Sequence, residues 1–253
     1  MEKQISLFEN INEEIINIES TKKINIEKGD IYVLGKHRLM CGDSTNFEDI
    51  KTLTQNNKID IIYTDPPYNV SFNGRSGKFE VIENDNLGSK EFELFIKKII
   101  ENVKIINAEN IYIWCNWKFY GLLQSLIDFN ACIVWAKNVF GMGVGYRHQH
   151  EFCLFKGEID VKVKNESDLW KVAKDTNYIH PTQKPIQLCI RALKNHKENK
   201  TVLDLFGGSG STLIGCEQMN KICYIMEIDP IYVEKIIYRW ENYTKQKVIK
   251  EDA

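Results

Sequence analysis

Residues 201–229 read TVLDLFGGSGSTLIGCEQMNKICYIMEID. An apolar run leads into a glycine turn, a helical stretch, and a second apolar run that ends in acids. This order is a βαβ nucleotide-binding unit and commits the chain to the α/β class. The letters of the turn narrow its ligand. A phosphate-cradling loop needs Gly-Lys followed by Ser or Thr, and no lysine follows these glycines. A dinucleotide fingerprint needs a third glycine three residues after Gly210, where Leu213 stands. The turn lacks the usual equipment for a pyrophosphate.

Glycines still allow close backbone approach to a smaller ligand with an adenosine end. Glu227 is placed to accept hydrogen bonds from the two hydroxyls of a ribose. Asp204, at the end of the first run, can face a cationic or ammonium group. An uncharged nucleoside bearing an amino acid fits these features better than a phosphate ester. S-adenosylmethionine is such a molecule. The plainer reading is a structural turn with a surface glutamate, and the βαβ context weighs against it.

A second stretch, Asp65-Pro66-Pro67-Tyr68, closes the apolar run that begins at Ile59. The prolines fix φ near −65° and carry no N–H, so the loop is stiff and its carbonyls are unpaired. An acid, outward carbonyls and a flat ring can hold a planar heterocycle by its face and an amino group by both hydrogens. Alone, the four letters read as a strand-terminating turn. A third stretch, His180 to Pro185, reads HPTQKP and places Pro185 at the first turn of a helix.

The chain of 253 residues is long enough for one domain, and 43% apolar residues supply a sizeable core. Residues 1–28 read as an arm or an amphipathic helix, and 29–253 as a single domain. The first ten residues are polar and acidic, and no apolar run approaches a membrane span, so a soluble, cytoplasmic chain without a membrane partner is expected. Seven cysteines without a Cys-x-x-Cys read as reduced core residues rather than zinc ligands or a disulfide frame. His148 and His150 lie two apart in a glycine-rich loop without acids at matching spacing, so no metal site is expected. The net charge of −2 means that a nucleic-acid binder must gather its basic residues on one face. Trp114 and Trp117 read as core or pocket wall.

Taken together and in this order, Asp-Pro-Pro-Tyr, His-Pro-Thr-Gln-Lys-Pro and Asp-x-Phe-x-Gly-x-Gly resemble the amino-group DNA methyltransferases of the β class, from about Tyr32 to about Tyr243. The catalytic motif there precedes the cofactor motif, a permuted order. The resemblance implies a Rossmann-like S-adenosylmethionine-dependent methyltransferase fold, with an open, mostly parallel seven-stranded sheet and helices on both faces. It implies a catalytic role for Asp65, Pro66, Pro67 and Tyr68. Phe206, Gly207, Gly208, Ser209, Gly210, Ser211 and Thr212 would line the methionine part of the cofactor, with Asp65 and Asp204 beside it and Glu227 on the ribose. Asp43 matches the acid near the adenine. Thr182 and Lys184 match the segment that closes over the methionine end. The stretch 157–179 stands where the target-recognition region stands, and it is short. Lys137, Arg147, His148, Lys156, Lys162 and Lys164 form a plausible set of DNA contacts.

The expected activity is site-specific methylation of the adenine amino group in duplex DNA after base flipping. The leaning to adenine follows from the acid that opens the motif; the alternatives are the cytosine amino group and a non-catalytic DNA-binding subunit of the same fold. Cytosine C5 chemistry needs a nucleophilic cysteine, conventionally after proline, and no Pro-Cys occurs. A protein-glutamine methyltransferase would carry Asn-Pro-Pro-Tyr after the glycine motif, whereas here Asp-Pro-Pro-Tyr precedes it. No nuclease motif is evident, so a restriction endonuclease partner would be a separate protein. A homodimer is neither required nor excluded.

Overall fold

The computed structural model describes residues 24–70, 83–141, 145–160, 166–175, 179–180 and 182–251. The arm-or-helix expectation for 1–28 falls largely outside them. A hairpin opens the described chain, β1 (Ile31–Leu34) and β2 (His37–Cys41), followed by helix α1 (Phe47–Thr54). Then come β3 (Ile61–Thr64), α2 (Ser89–Ile106), β4 (Asn110–Cys115), α3 (Tyr120–Leu126) and β5 (Ala131–Ala136). The second half holds β6 (His150–Lys156), β7 (Leu169–Lys171), α4 (Ile186–Leu193), β8 (Thr201–Asp204), α5 (Ser211–Gln218) and β9 (Ile222–Glu227). It closes with α6 (Pro230–Thr244) and β10 (Ile249–Lys250).

One sheet runs in the order β10-β1-β2-β9-β8-β3-β4-β6-β5-β7. The central neighbours from β2 to β4 are all parallel, and β6 is antiparallel to both β4 and β5. The seven expected strands correspond to the run from β2 to β5. The sheet is wider than that by β10, β1 and β7, which are edge additions. Strand alternation sends side chains into two cores. On one face Leu39, Ile61, Trp114 and Ile225 pack under α4, α5 and α6. On the other, Met40, Ile62, Ile113 and Leu203 pack under α1, α2 and α3. No helix of the described residues is long and apolar enough to cross a membrane.

Two connections decide where a ligand can sit. After β3 the chain crosses through α2 to β4, and after β8 it crosses through α5 to β9, on the opposite face and in the opposite direction. β3 and β8 are sheet neighbours, so the crevice between their carboxyl ends is a topological switch point.

Candidate active site

Each of the four adjacent parallel strands delivers an acid to the same edge. Asp43 follows β2, Glu227 ends β9, Asp204 ends β8 and Asp65 follows β3. All four line one cavity of about 1170 Å³, mouth included, together with Tyr68, His180, Thr182 and Lys184. Phe206, Gly207, Gly208, Ser209, Ser211, Thr212, Pro66 and Pro67 also line it; Gly210 does not. The acidic hook and the glycine turn, far apart in the chain, therefore open into one space. Thr64 joins them: its hydroxyl donates to Asp204 Oδ1 at 3.1 Å and accepts from the Leu205 N–H at 3.1 Å.

The glycine turn is held from three sides. Glu227 Oε2 accepts the Gly208 N–H at 2.7 Å, and Oε1 accepts the Asp229 N–H at 3.0 Å. From α6, the buried Arg239 donates to the Ser209 carbonyl at 2.9 Å and reaches the Ser209 and Ser211 hydroxyls at 3.2 Å each. Gly208 has φ +53°, and the His180 ring lies about 3.7 Å from where its Cβ would be. A Cβ on Gly207 would meet Ile236 at 2.9 Å, so this residue lets α6 pack directly beneath the turn. Asp229 caps α6 by accepting the Ile231 N–H at 2.8 Å, with Pro230 in the first turn.

The electrostatics divide the cavity. Burial pushes the Asp204 and Glu227 carboxyls each up to about 7, although hydrogen bonds oppose it. An acid held at the edge of ionisation is stabilised in its charged form by an incoming cation. Burial, with Lys235 and Lys184 nearby, holds His180 down to about 3, so it is neutral. Its ring packs on Tyr232 at 4.4 Å between centroids, and its Nδ1 accepts the Thr182 N–H at 3.3 Å.

At the hook, the Tyr68 hydroxyl donates to Asp65 Oδ1 at 2.8 Å. The Lys184 ammonium pairs with Asp65 Oδ2 and lies 3.1 Å from both the Tyr68 oxygen and Glu151 Oε2. Burial raises the Asp65 carboxyl, with Lys184 opposing. Burial works against the Lys184 charge, but the carboxylates of Asp65 and Glu151 outweigh it and raise its pKa. Burial also works against the Glu151 charge, yet Lys184 and Lys137 bring its carboxyl down to about 2. Lys184, which the motif resemblance assigns to the segment closing over the methionine end, lines the same cavity as the glycine turn and pairs there with the hook. Behind the hook, buried Asp85 accepts the N–H groups of Tyr68 at 3.1 Å and Val70 at 3.2 Å.

Thr64, Asp85, Glu151 and Arg239 were missed by sequence reasoning. Thr64 ends an apolar run beside the motif, a position that hints at a role. Glu151 closes the stretch 138–151, NVFGMGVGYRHQHE, which resembles the region lining the target-base pocket, but was not singled out in it. Asp85 and Arg239 carry no local signal, since each acts across the fold.

A family model described as DNA methylase, of the N6/N4 class, matches residues 156–239, the stretch that carries the His180–Pro185 strap, the glycine turn and Glu227. Type II methyltransferase M.HpaI from Haemophilus parainfluenzae is 26% identical over 234 residues, covering 78% of this chain and 72% of its own. Over residues 156–239 the chain matches the N6/N4 DNA methylase family. Two solved structures show that the chain has their fold. M1.HpyAVI, solved as a SAM complex, has 24% identity and a TM-score of 0.57, with 79% of this chain and 98% of that one covered. The PvuII DNA methyltransferase, cytosine-N4-specific, has 15% identity and a TM-score of 0.64, with 85% and 90% covered.

The described members of the expected basic set do not come together. Lys137 turns inward, pairs with Glu151 and lies 4.8 Å over the Trp135 ring. Lys156 is exposed at the far end of β6, which runs antiparallel to β4, so strand direction carries it to the edge opposite the cavity. Lys162 and Lys164 lie outside the described residues. Arg147 and His148 remain, exposed on the connection that enters β6 at the cavity edge, beside exposed Phe140 and Tyr146. Trp114 is core, and Trp117 is exposed.

Proposed function

We propose that this chain transfers a methyl group from S-adenosylmethionine to an exocyclic amino group of a DNA base, adenine rather than cytosine. The observation that carries the proposal is the shared cavity, with Asp65 on one wall and Gly208 and Glu227 on the other. The residues present fit the cofactor. Glu227 offers carboxylate oxygens to a ribose diol, and Asp43 lies toward the adenine side of the same row of acids. Asp204 and Glu227, poised near neutrality, suit a ligand that bears positive charge. Lys184, the basic side chain lining the cavity, is taken up by Asp65 rather than offered to a phosphate.

When bound, the sulfonium supplies an activated methyl group and leaves as a neutral thioether. The chain's own residues prepare the nucleophile. The amino lone pair of adenine or cytosine is delocalised into the ring. Asp65 accepts one amino hydrogen and the Pro66 carbonyl the other, which localises that lone pair toward the methyl. The nitrogen would take the methyl group as the bond from methyl to sulfur breaks. Asp65, which accepts an amino hydrogen, would take the proton the nitrogen sheds and pass it to solvent. Placement and fixed dipoles are the main contributions. Leaving the duplex costs the base a few kcal/mol. Stacking on Tyr68 returns about 1–3 kcal/mol. Arg147 and His148 stand where phosphates would approach.

Adenine is favoured because aspartate opens the hook. The cytosine reading draws support from the likeness to a cytosine-N4-specific enzyme. Labelled-methyl transfer to duplex DNA, followed by nucleoside digestion, tests both. Wild type is expected to yield N6-methyladenine, and Asp65→Ala to lose at least about 10²-fold in rate. N4-methylcytosine would reassign the base. Binding of DNA without any transfer would leave a DNA-binding subunit.

A further inference from the structure

In the ligand-free protein the hook is already occupied. Asp65 holds the Tyr68 hydroxyl on Oδ1 and the Lys184 ammonium on Oδ2. A neutral amino group does not displace an ammonium from a carboxylate unless the ammonium has somewhere to go. Glu151 provides that place. Its Oε2 lies 3.1 Å from Lys184 Nζ and 3.2 Å from the Tyr68 hydroxyl, so both donors on Asp65 already reach one second carboxylate oxygen. Its Oε1 is fixed by Lys137, which braces on Trp135. Glu151 comes from β6, outside all three sequence motifs, at the end of the strand that faces the cavity edge.

We propose that Glu151 is a positioning residue that takes over the Lys184 ammonium and the Tyr68 hydroxyl when the target amino group claims Asp65. The inference rests on the methyl-transfer reading and deepens it. Two ammoniums, on Lys137 and Lys184, face two carboxylates, on Asp65 and Glu151. The handover moves no proton and leaves the cluster neutral. Replacing Glu151 with a neutral amide leaves Lys184 with Asp65 as its only anionic partner in this cluster and locks it there.

The test measures kcat and the KM of each substrate for methyl transfer, varying S-adenosylmethionine at saturating duplex DNA and duplex DNA at saturating S-adenosylmethionine. The proteins are wild type, Glu151→Gln, Glu151→Asp, Lys184→Met and the Glu151→Gln/Lys184→Met double variant. Glu151→Gln is expected to lower kcat about 10²-fold, the scale of a misplaced reacting group. The KM for S-adenosylmethionine should stay within about twofold, because the cofactor wall is untouched. Glu151→Asp, which keeps the charge, should recover part of kcat. In the Lys184→Met background, Glu151→Gln should cost little more, because the group it acts through is gone. Equal kcat for wild type and Glu151→Gln, or losses that multiply in the double variant, would overturn the inference alone. An inactive wild type would overturn the methyl-transfer reading and the inference with it. Thermal unfolding of each variant separates loss of fold from loss of handover, and Glu151→Asp carries the test where Glu151→Gln does not fold.

Discussion

Thr64 shows how much one hydroxyl can organise. It ties the end of β3 to the end of β8 by donating to Asp204 and accepting from the Leu205 N–H. Thr64→Val keeps the shape and removes both bonds in a buried place. It is expected to lower unfolding stability by about 1–3 kcal/mol in urea titrations. Asp204 supplies a pH test. A carboxyl whose folded pKa lies above its unfolded value contributes stability that is complete below the ordinary carboxylate range. That contribution is lost as pH rises through about 7. Asp204→Asn mimics the protonated form at every pH. It should match wild type near pH 4 and gain on it by up to about 1.4 kcal/mol for each pH unit between there and about 7. The buried histidines, which titrate in the same window, cancel in this difference. Thermal melts of both proteins across the range, without cofactor, check the sign; a gap that narrows with rising pH would refute it.

At the scale of elements, the glycine turn and α6 form one packed piece. Gly207→Ala pushes a methyl group into Ile236 and Ile225, which belong to the tightly packed core beneath. Overpacking of this kind costs about 1–3 kcal/mol. The variant should also bind S-adenosylmethionine more weakly in calorimetric titration, since the turn must lift to relieve the clash. Sequence reading located β3, β8, α5, β9 and the start of α4, because each shows its own apolar run or terminal residues. It missed β7 and β10. Strands of three and two residues leave too little alternation to register, and only pairing with β5 and β1 makes them strands. It also missed how Lys184 would point. A lysine between two prolines carries no direction in its letters, and the pull of Asp65 and Glu151 arises only once β3 and β6 are in place.

Over the whole molecule, four parallel strands present four acids to one edge, and the exposed residues 145–149 lead into β6 at that edge. That stretch carries Arg147, whose side chain also donates to the Gly141 carbonyl at 3.1 Å. Arg147→Ala should weaken binding to duplexes of any sequence and lower the log–log salt slope by about 1 in fluorescence titrations. An unchanged slope would remove Arg147 from the phosphate contacts. The sequence revealed which residue types serve the site but not which basic residues share a face. Lys156 and His150 are six positions apart on one strand, enough at about 3.4 Å per residue to put them on opposite rims.

The bond from Thr64 to Asp204 spans 140 residues of chain. Neither half of the cavity has its partner until β8 has been synthesised and inserted between β3 and β9. Pairing at such separation is entropically late and slow. A nascent chain therefore carries the acidic hook through most of its birth with nothing to act on, and catalytic competence arrives all at once, with the last strands to dock.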